Sequence, residues 1–278
     1  MRIAISNIAW DTPEDDAVAN VLSRNHVDAI DVAPSKYFPE PDATREAMAV
    51  EVRDWWAARG IEITGMQALL FGTSGLNMFG AAASQEAMLA RLGAVCRIAG
   101  WLGARRLVFG SPRNRDRAQL SSEQALAVAV PFFRRLGDIA SAEGVCVCLE
   151  PNPPRYSCNF MTTTAEAAHV VRQVQHAAIR LHLDTGTLAI NSEDPEISVR
   201  DNADIIGHVH ASEPDLVPLG DGGAPHARVA QALRAALPGA VVSIEMVATT
   251  GEPHLASVER ALHVARGAYG DAMREEPR

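Results

Sequence analysis

The chain is 278 residues long, 47% hydrophobic and 21% charged with only 5% aromatic side chains, which suits one large globular domain or two small ones. Its 25 Lys and Arg against 34 Asp and Glu leave a formal net charge of −9, which disfavours nucleic acid and membrane surfaces as partners. No apolar run approaches the roughly 20 residues of a spanning helix; the start MRIAISNIAW has no leader-like apolar segment, and four cysteines without a CxxC pair point to a reducing, cytoplasmic setting.

Eight short β-branched runs recur along the chain: RIAIS from Arg2, VDAIDV from Val27, IEITGM from Ile61, RRLVFG from Arg105, VCVCLE from Val145, IRLHLD from Ile179, IIGHVH from Ile205 and VVSIEM from Val241. Their starts are about 34 residues apart, the length of one strand-plus-helix unit. Helical patterns fill the intervals. Thr12 before Pro13 opens the first. From Ser84, the residues Met88, Leu92, Val95, Ala99 and Leu102 share one face until Gly103 stops the helix. Ser121 with Gln124 and Thr163 with Glu166 have capping-box spacing, and Pro131 predicts a kink between them. Pro253 opens the last helix, with Leu255, Val258, Leu262 and Ala265 as its buried stripe. Residues 68–83, ALLFGTSGLNMFGAAA, form an apolar, glycine-punctuated loop after the third strand, either a lid over a mouth or a packed connection. Eight alternations without a linker predict one domain over 1–278, an α/β (β/α)8 TIM barrel. A doubly wound sheet would carry a glycine-rich phosphate loop, and neither GxGxxG nor GxxxxGK[ST] occurs.

Side chains alternate along a strand, so one set faces the helices and the other the lumen. In the fifth strand Val145, Val147 and Leu149 face out, leaving Cys146, Cys148 and Glu150 inward; in the sixth Arg180, His182 and Asp184 point in. In the seventh Ile205, Gly207 and Val209 are expected outward and Ile206, His208 and His210 inward; in the eighth Ser243 and Glu245 point in. Glu150, Asp184, His210 and Glu245 therefore converge at the C-terminal face, where barrel active sites sit. Three carboxylates in a partly desolvated mouth repel one another unless they take up protons or surround a cation. One divalent metal resolves the conflict. Three oxygen donors and an imidazole suit Mn²⁺ first, with Mg²⁺ or Co²⁺ also compatible and Zn²⁺ less natural without a thiolate. Beneath, His182 and His208 read as packing and hydrogen-bonding support, and both are also candidate substrate contacts. Asn152, two residues past Glu150, is a further candidate for substrate binding. Lys36, Arg113, Arg115 and Arg155 are further groups that could hold hydroxyls or a phosphate; Lys36 and Arg113 follow the second and fourth strands at the same face, with a solvated surface role as the alternative.

At LEPN around Glu150, HLDTG around Asp184, HVHASE around His210 and SIEM around Glu245, the sequence resembles the xylose isomerase-like TIM-barrel superfamily of sugar isomerases and epimerases, over nearly the whole chain. The resemblance implies one Mn²⁺ or Co²⁺ bound by Glu150, Asp184, His210 and Glu245. It also implies that Glu150 and Glu245 act as the acid/base pair, moving a proton next to a carbonyl through a metal-stabilised enediolate. Its substrate class is a small carbohydrate or sugar phosphate, and its relatives self-associate as a homodimer or homotetramer. Two positions depart from the epimerase pattern: Thr187 replaces a His three residues after Asp184, and Glu213, Asp215 and Leu216 occupy the stretch where an Arg is expected. Both argue against ordinary ketohexose specificity. A metal-dependent dehydratase of an inosose-like polyol and a non-catalytic sugar-binding barrel are the alternatives. An endonuclease IV-like trinuclear zinc site is not expected, because Gln67, Thr187 and Gly223 stand where its ligands are required.

Overall fold

In the computed structural model, which describes residues 1–270, eight parallel strands close into a barrel in chain order. The end of the expected domain, 271–278, lies outside the described residues. The strands are β1 (Arg2–Ser6), β2 (Ala29–Val32), β3 (Glu62–Met66), β4 (Arg106–Phe109), β5 (Cys146–Leu149), β6 (Ile179–Asp184), β7 (Ile206–Ser212) and β8 (Val241–Glu245). Around them run α1 (Asp15–Arg24), α2 (Pro34–Tyr37), α3 (Glu46–Ala57), α4 (Ala82–Leu102), α5 (Ser122–Ala142), α6 (Thr164–Val174), α7 (Thr185–Asn191), α8 (Pro195–Arg200), α9 (His226–Ala236) and α10 (His254–Tyr269). Among the described residues no helix is long and apolar enough to cross a membrane, and all four cysteines are free and buried.

The local signals mostly act as the sequence indicates. Gly103 ends α4 at φ 81°, a left-handed cap that a residue with a Cβ resists. Ser121 and Gln124 form the full capping box on α5. At α6 only half of it forms, because the Glu166 carboxylate accepts from the Thr162 N–H instead. Pro131 sits inside α5, which continues across it. Residues 68–83 pack down rather than standing free: Leu69, Leu70 and Met78 are buried, and the Met78 N–H donates to Asn114 O at 2.9 Å.

The expected alternation of β7 needs one correction. The β6–β7 register shifts between Leu181 and His182, so Ile206 pairs with Leu181 on the outward face and His208 pairs with His182 on the inner one. This β-bulge leaves Gly207 aimed at the lumen, where a Cβ would lie 2.6 Å from Arg180 Cβ and 2.8 Å from Cys148 Sγ. Gly207→Ala should therefore destabilise the barrel by about 1–3 kcal/mol through overpacking, read as a lowered denaturation midpoint. An unchanged midpoint would show that the lumen has room at this level.

His254 at the start of α10 clasps Glu14 ahead of α1, Nδ1 to Oε2 at 2.6 Å, beside Asp11 and Lys36. The Glu14 hydrogen bond raises the imidazole above its ordinary 6.5, and the same bond lowers Glu14 below its ordinary 4.5. The stabilisation from His254 is complete below 6.5 and fades as pH rises through the raised value. That from Glu14 is present above 4.5 and fades as pH falls through the lowered value. His254→Ala should accordingly lower the melting temperature near pH 6 and leave it unchanged near pH 9; an equal loss at both would assign the effect to packing.

Candidate metal centre at the barrel mouth

Each chemical side chain sits at or near the C-terminal end of a strand. The Glu150 N–H, just past β5, donates to Phe109 O at 3.1 Å, which fixes the carboxylate beside the end of β4. Asp184 closes β6 and caps α7, its Oδ1 accepting from the Thr187 N–H at 2.6 Å while Oδ2 accepts from the Ser212 hydroxyl. His210 rises from β7 and Glu245 ends β8.

Glu150, His182, Asp184 and His210 each place one donor atom within 4.8 Å of the others. Glu245 completes the group, its Oε2 lying 3.3 Å from His210 Nδ1. The structure thus brings together all four residues expected as ligands. It also raises His182 from the supporting layer to their level, with Nε2 3.8 Å from Glu150 Oε1. All five are buried, the two imidazoles completely.

The electrostatics are those of a centre short of positive charge. Burial pushes the Glu150 carboxyl up to about 8, with Glu245 and Asp184 adding to the effect. Burial likewise raises Asp184, and Glu245 adds to it. His210 is held well above its ordinary value because Glu245, Asp31 and Glu150 outweigh the burial that opposes its charge. His182 falls well below, through burial and the two histidines beside it. Neither ring nitrogen of His182 has a hydrogen-bond partner, and those of His210 meet only carboxylates, Glu245 at 3.3 Å and Asp31 at 3.8 Å, with both rings fully enclosed. Orphaned imidazole nitrogens facing three buried carboxylates fit a divalent cation, which would satisfy both sets at once.

Several further side chains support the centre, and of these Asp31 is not among the residues singled out from the sequence. Asp31, fully buried in β2, accepts from His208 Nε2 at 2.7 Å, lies 3.8 Å from His210 Nε2 and takes the Thr64 hydroxyl at 3.0 Å. Burial alone would raise its carboxyl, but the two histidines hold it far below the usual range. Its signal was present: alternation along VDAIDV sends Ile30 and Val32 outward and Asp31 in. Gln67 Nε2 donates to Glu245 Oε1 at 2.6 Å. Arg115, fully buried, donates from Nη1 to Glu150 O at 2.6 Å.

Above the centre opens a cavity of about 740 Å³. Asn152 lines it and donates to Glu150 Oε2 at 3.2 Å. Lys36 lines it too, with its ammonium on Trp10 O. His208 lies buried below, on Asp31. Arg113 stands exposed outside the lining; the arginine turned inward on that segment is Arg115.

A closed (β/α)8 barrel with acidic and imidazole groups gathered at its C-terminal mouth defines the class of protein. The chain belongs to the xylose isomerase-like TIM barrel family, whose model matches residues 20–266. It is 29% identical to a D-psicose 3-epimerase of Ruminiclostridium cellulolyticum over 105 residues, 38% of this chain; the matched stretch spans 36% of that protein. Among solved structures, D-psicose 3-epimerase with D-tagatose from Clostridium cellulolyticum H10 superposes with a TM-score of 0.80, covering 98% of this chain and 100% of that one at 19% identity. The apo form of 3-keto-D-glucoside 4-epimerase from E. coli gives 0.77, covering 96% and 99% at 17% identity. At such identities the likeness to these structures is one of fold.

Proposed function

We propose that the protein is a divalent-metal-dependent sugar isomerase or epimerase, with one domain over 1–278 carrying the whole activity. The observation that supports it most is the pairing of Glu150 and Glu245, two buried carboxylates from strands three places apart around the barrel, with Asp184 and an imidazole between them. Glu150, Asp184, His210 and Glu245 would hold the cation, Mn²⁺ being the first choice, with His182 close enough to assist. When bound, such an ion supplies the charge that acidifies a C–H beside a carbonyl and favours the enediolate over the ketone.

The chain's own residues do the rest. One glutamate takes the proton from one face of the carbon and the other returns a proton to the opposite face, which inverts the centre. Return of the proton to the neighbouring carbon gives aldose–ketose isomerisation instead. Gln67 orients Glu245 and Asn152 orients Glu150 through one oxygen each, and the other oxygen of each faces an imidazole, His210 at 3.3 Å and His182 at 3.8 Å. Arg115 anchors the Glu150 backbone from beneath.

The test is incubation of the Mn²⁺-loaded protein in D₂O with ketoses, ketose phosphates and inososes, followed by NMR. Deuterium beside a retained ketone with an inverted product identifies an epimerase, and deuterium in an aldose product an isomerase. Loss of water would identify a dehydratase and overturn the reading. Chelation is expected to abolish exchange and Mn²⁺ to restore it; full activity in verified metal-free protein would remove the metal from the mechanism.

A further inference from the structure

The centre forms the floor of a cavity whose upper walls are far more apolar than sugar chemistry requires. Leu69, Leu70 and Phe71 come from the loop after β3, Leu216 from the loop after β7 and Val247 from the segment after β8. Phe71 is 71% exposed and Val247 46%. Of the five large apolar side chains that stand exposed among the described residues, three (Phe71, Tyr156 and Val247) border this one opening. Such clustering marks a surface that meets an apolar ligand.

Backbone conformation points to the same place. Ala68, Asp215 and Leu216 line the cavity and hold φ at 53°, 62° and 53°, a left-handed region that disfavours side chains with a Cβ. Strain of this kind is retained where a site needs it. Leu216 O accepts from the Val247 N–H at 3.1 Å, tying two parts of the wall together.

Several polar side chains around the wall are already engaged. Thr187 donates to Pro151 O, Tyr156 to Asp215, and Glu213 accepts from Gly220 and Ala224 N–H groups with His226 beside it. Lys36 is the one cation among the lining residues, and it sits amid Asp11, Glu14 and Asp15. A phosphate would meet this single lysine, its charge shared with three carboxylates and its ammonium on Trp10 O. A bare sugar would cover the floor only, whereas a cavity of this size suits a drug-sized ligand.

Resting on the isomerase/epimerase reading, we propose that the substrate is an uncharged keto-sugar bearing an apolar substituent about the size of an aromatic ring. The substituent packs against Leu69, Leu70, Phe71, Leu216 and Val247, and Leu216 is a specificity-determining residue. If the substituent is a glycosidic aglycone, the anomeric carbon is an acetal with no carbonyl to enolise. The carbonyl is then a ring ketone, supplied by a prior oxidation of a ring hydroxyl.

The experiment measures binding by calorimetry, and deuterium exchange by NMR, for the methyl and 4-nitrophenyl β-glycosides of one 3-keto-hexose and for a hexose 6-phosphate. The nitrophenyl glycoside is expected to bind about tenfold or more tightly than the methyl one, and the phosphate not to compete. Leu216→Asn should erase that preference; Asn adopts the left-handed backbone more readily than Leu, so the loop is retained. Phe71→Ser, at an exposed position, should weaken the preference without a folding risk. Equal affinity for the two glycosides, tighter binding of the phosphate, or a preference that survives both variants would overturn the proposal. So would a Phe71→Ser variant that loses self-association while keeping the preference, because the rim would then cover a second copy of the chain. A clear nitrophenyl preference with no exchange at any carbon would uphold the subsite and sink the isomerase/epimerase reading.

Discussion

Glu245→Gln is expected to keep the fold and lose about 10²- to 10⁴-fold in proton exchange, the range that a positioned acid or base supplies. The replacement keeps the shape of the side chain and an oxygen for the 2.6 Å hydrogen bond from Gln67 Nε2. What it removes is the charge. After burial, Glu245 is the largest cause raising the carboxyls of Glu150 and Asp184, so its neutralisation relieves repulsion and both should titrate lower. The variant also loses the 3.3 Å ion pair of Glu245 with buried His210, which offsets that relief, so its melting temperature should stay close to that of the wild type. Metal content has to be measured alongside the rate, since Glu150, Asp184 and His210 would still hold a cation more weakly. A metal-loaded variant that exchanges at the wild-type rate would take Glu245 out of the acid/base pair.

Much of this centre is legible from the period of a strand alone. Glu150, Asp184, His210 and Glu245 all lie on the inward face at or near the ends of successive strands; Asp184 pairs with His210, while Glu245 pairs with Ser212, one inward step beyond His210 on a β7 that runs further than HVH suggests. The same rule reaches Asp31, yet its significance appears only once β2 is seen across the lumen from β7, within 2.7 Å of His208. The exchange of faces between Ile206 and Gly207 is not readable from IIGHVH, because a bulge belongs to a pair of strands and not to one. Nor does the sequence PRNR separate Arg113 from Arg115. Both lie in one short 3-10 turn, and only contact with the Glu150 carbonyl decides which guanidinium turns inward. The apolar wall was likewise hidden, since it joins residues from loops after three different strands.

Gly110→Ala should be nearly as damaging as loss of a glutamate, although a single methyl group is all it adds. A Cβ at this position would stand 1.6 Å from Glu150 Oε2 and 2.8 Å from Glu150 Cδ, so the carboxylate and the methyl cannot share the space. Gly110 does not have a positive φ, so the backbone tolerates alanine and the whole effect falls on Glu150. That side chain has little freedom to yield, because Asn152 donates to its Oε2 while Arg115 and the Phe109 carbonyl fix its main chain. The same geometry explains why the fourth strand ends in FGSP with no ligand of its own: any side chain at 110 would occupy the place of Glu150. Displacement of a base by an ångström or more is expected to cost about 10²-fold in rate, with weaker Mn²⁺ binding and a melting temperature close to wild type. Gly251→Ala, where a Cβ meets nothing within 4 Å, serves as the control. If Gly110→Ala exchanged protons and bound Mn²⁺ like the control, Glu150 would have to work from a different rotamer, and its pairing with Glu245 across the mouth would no longer describe the active arrangement.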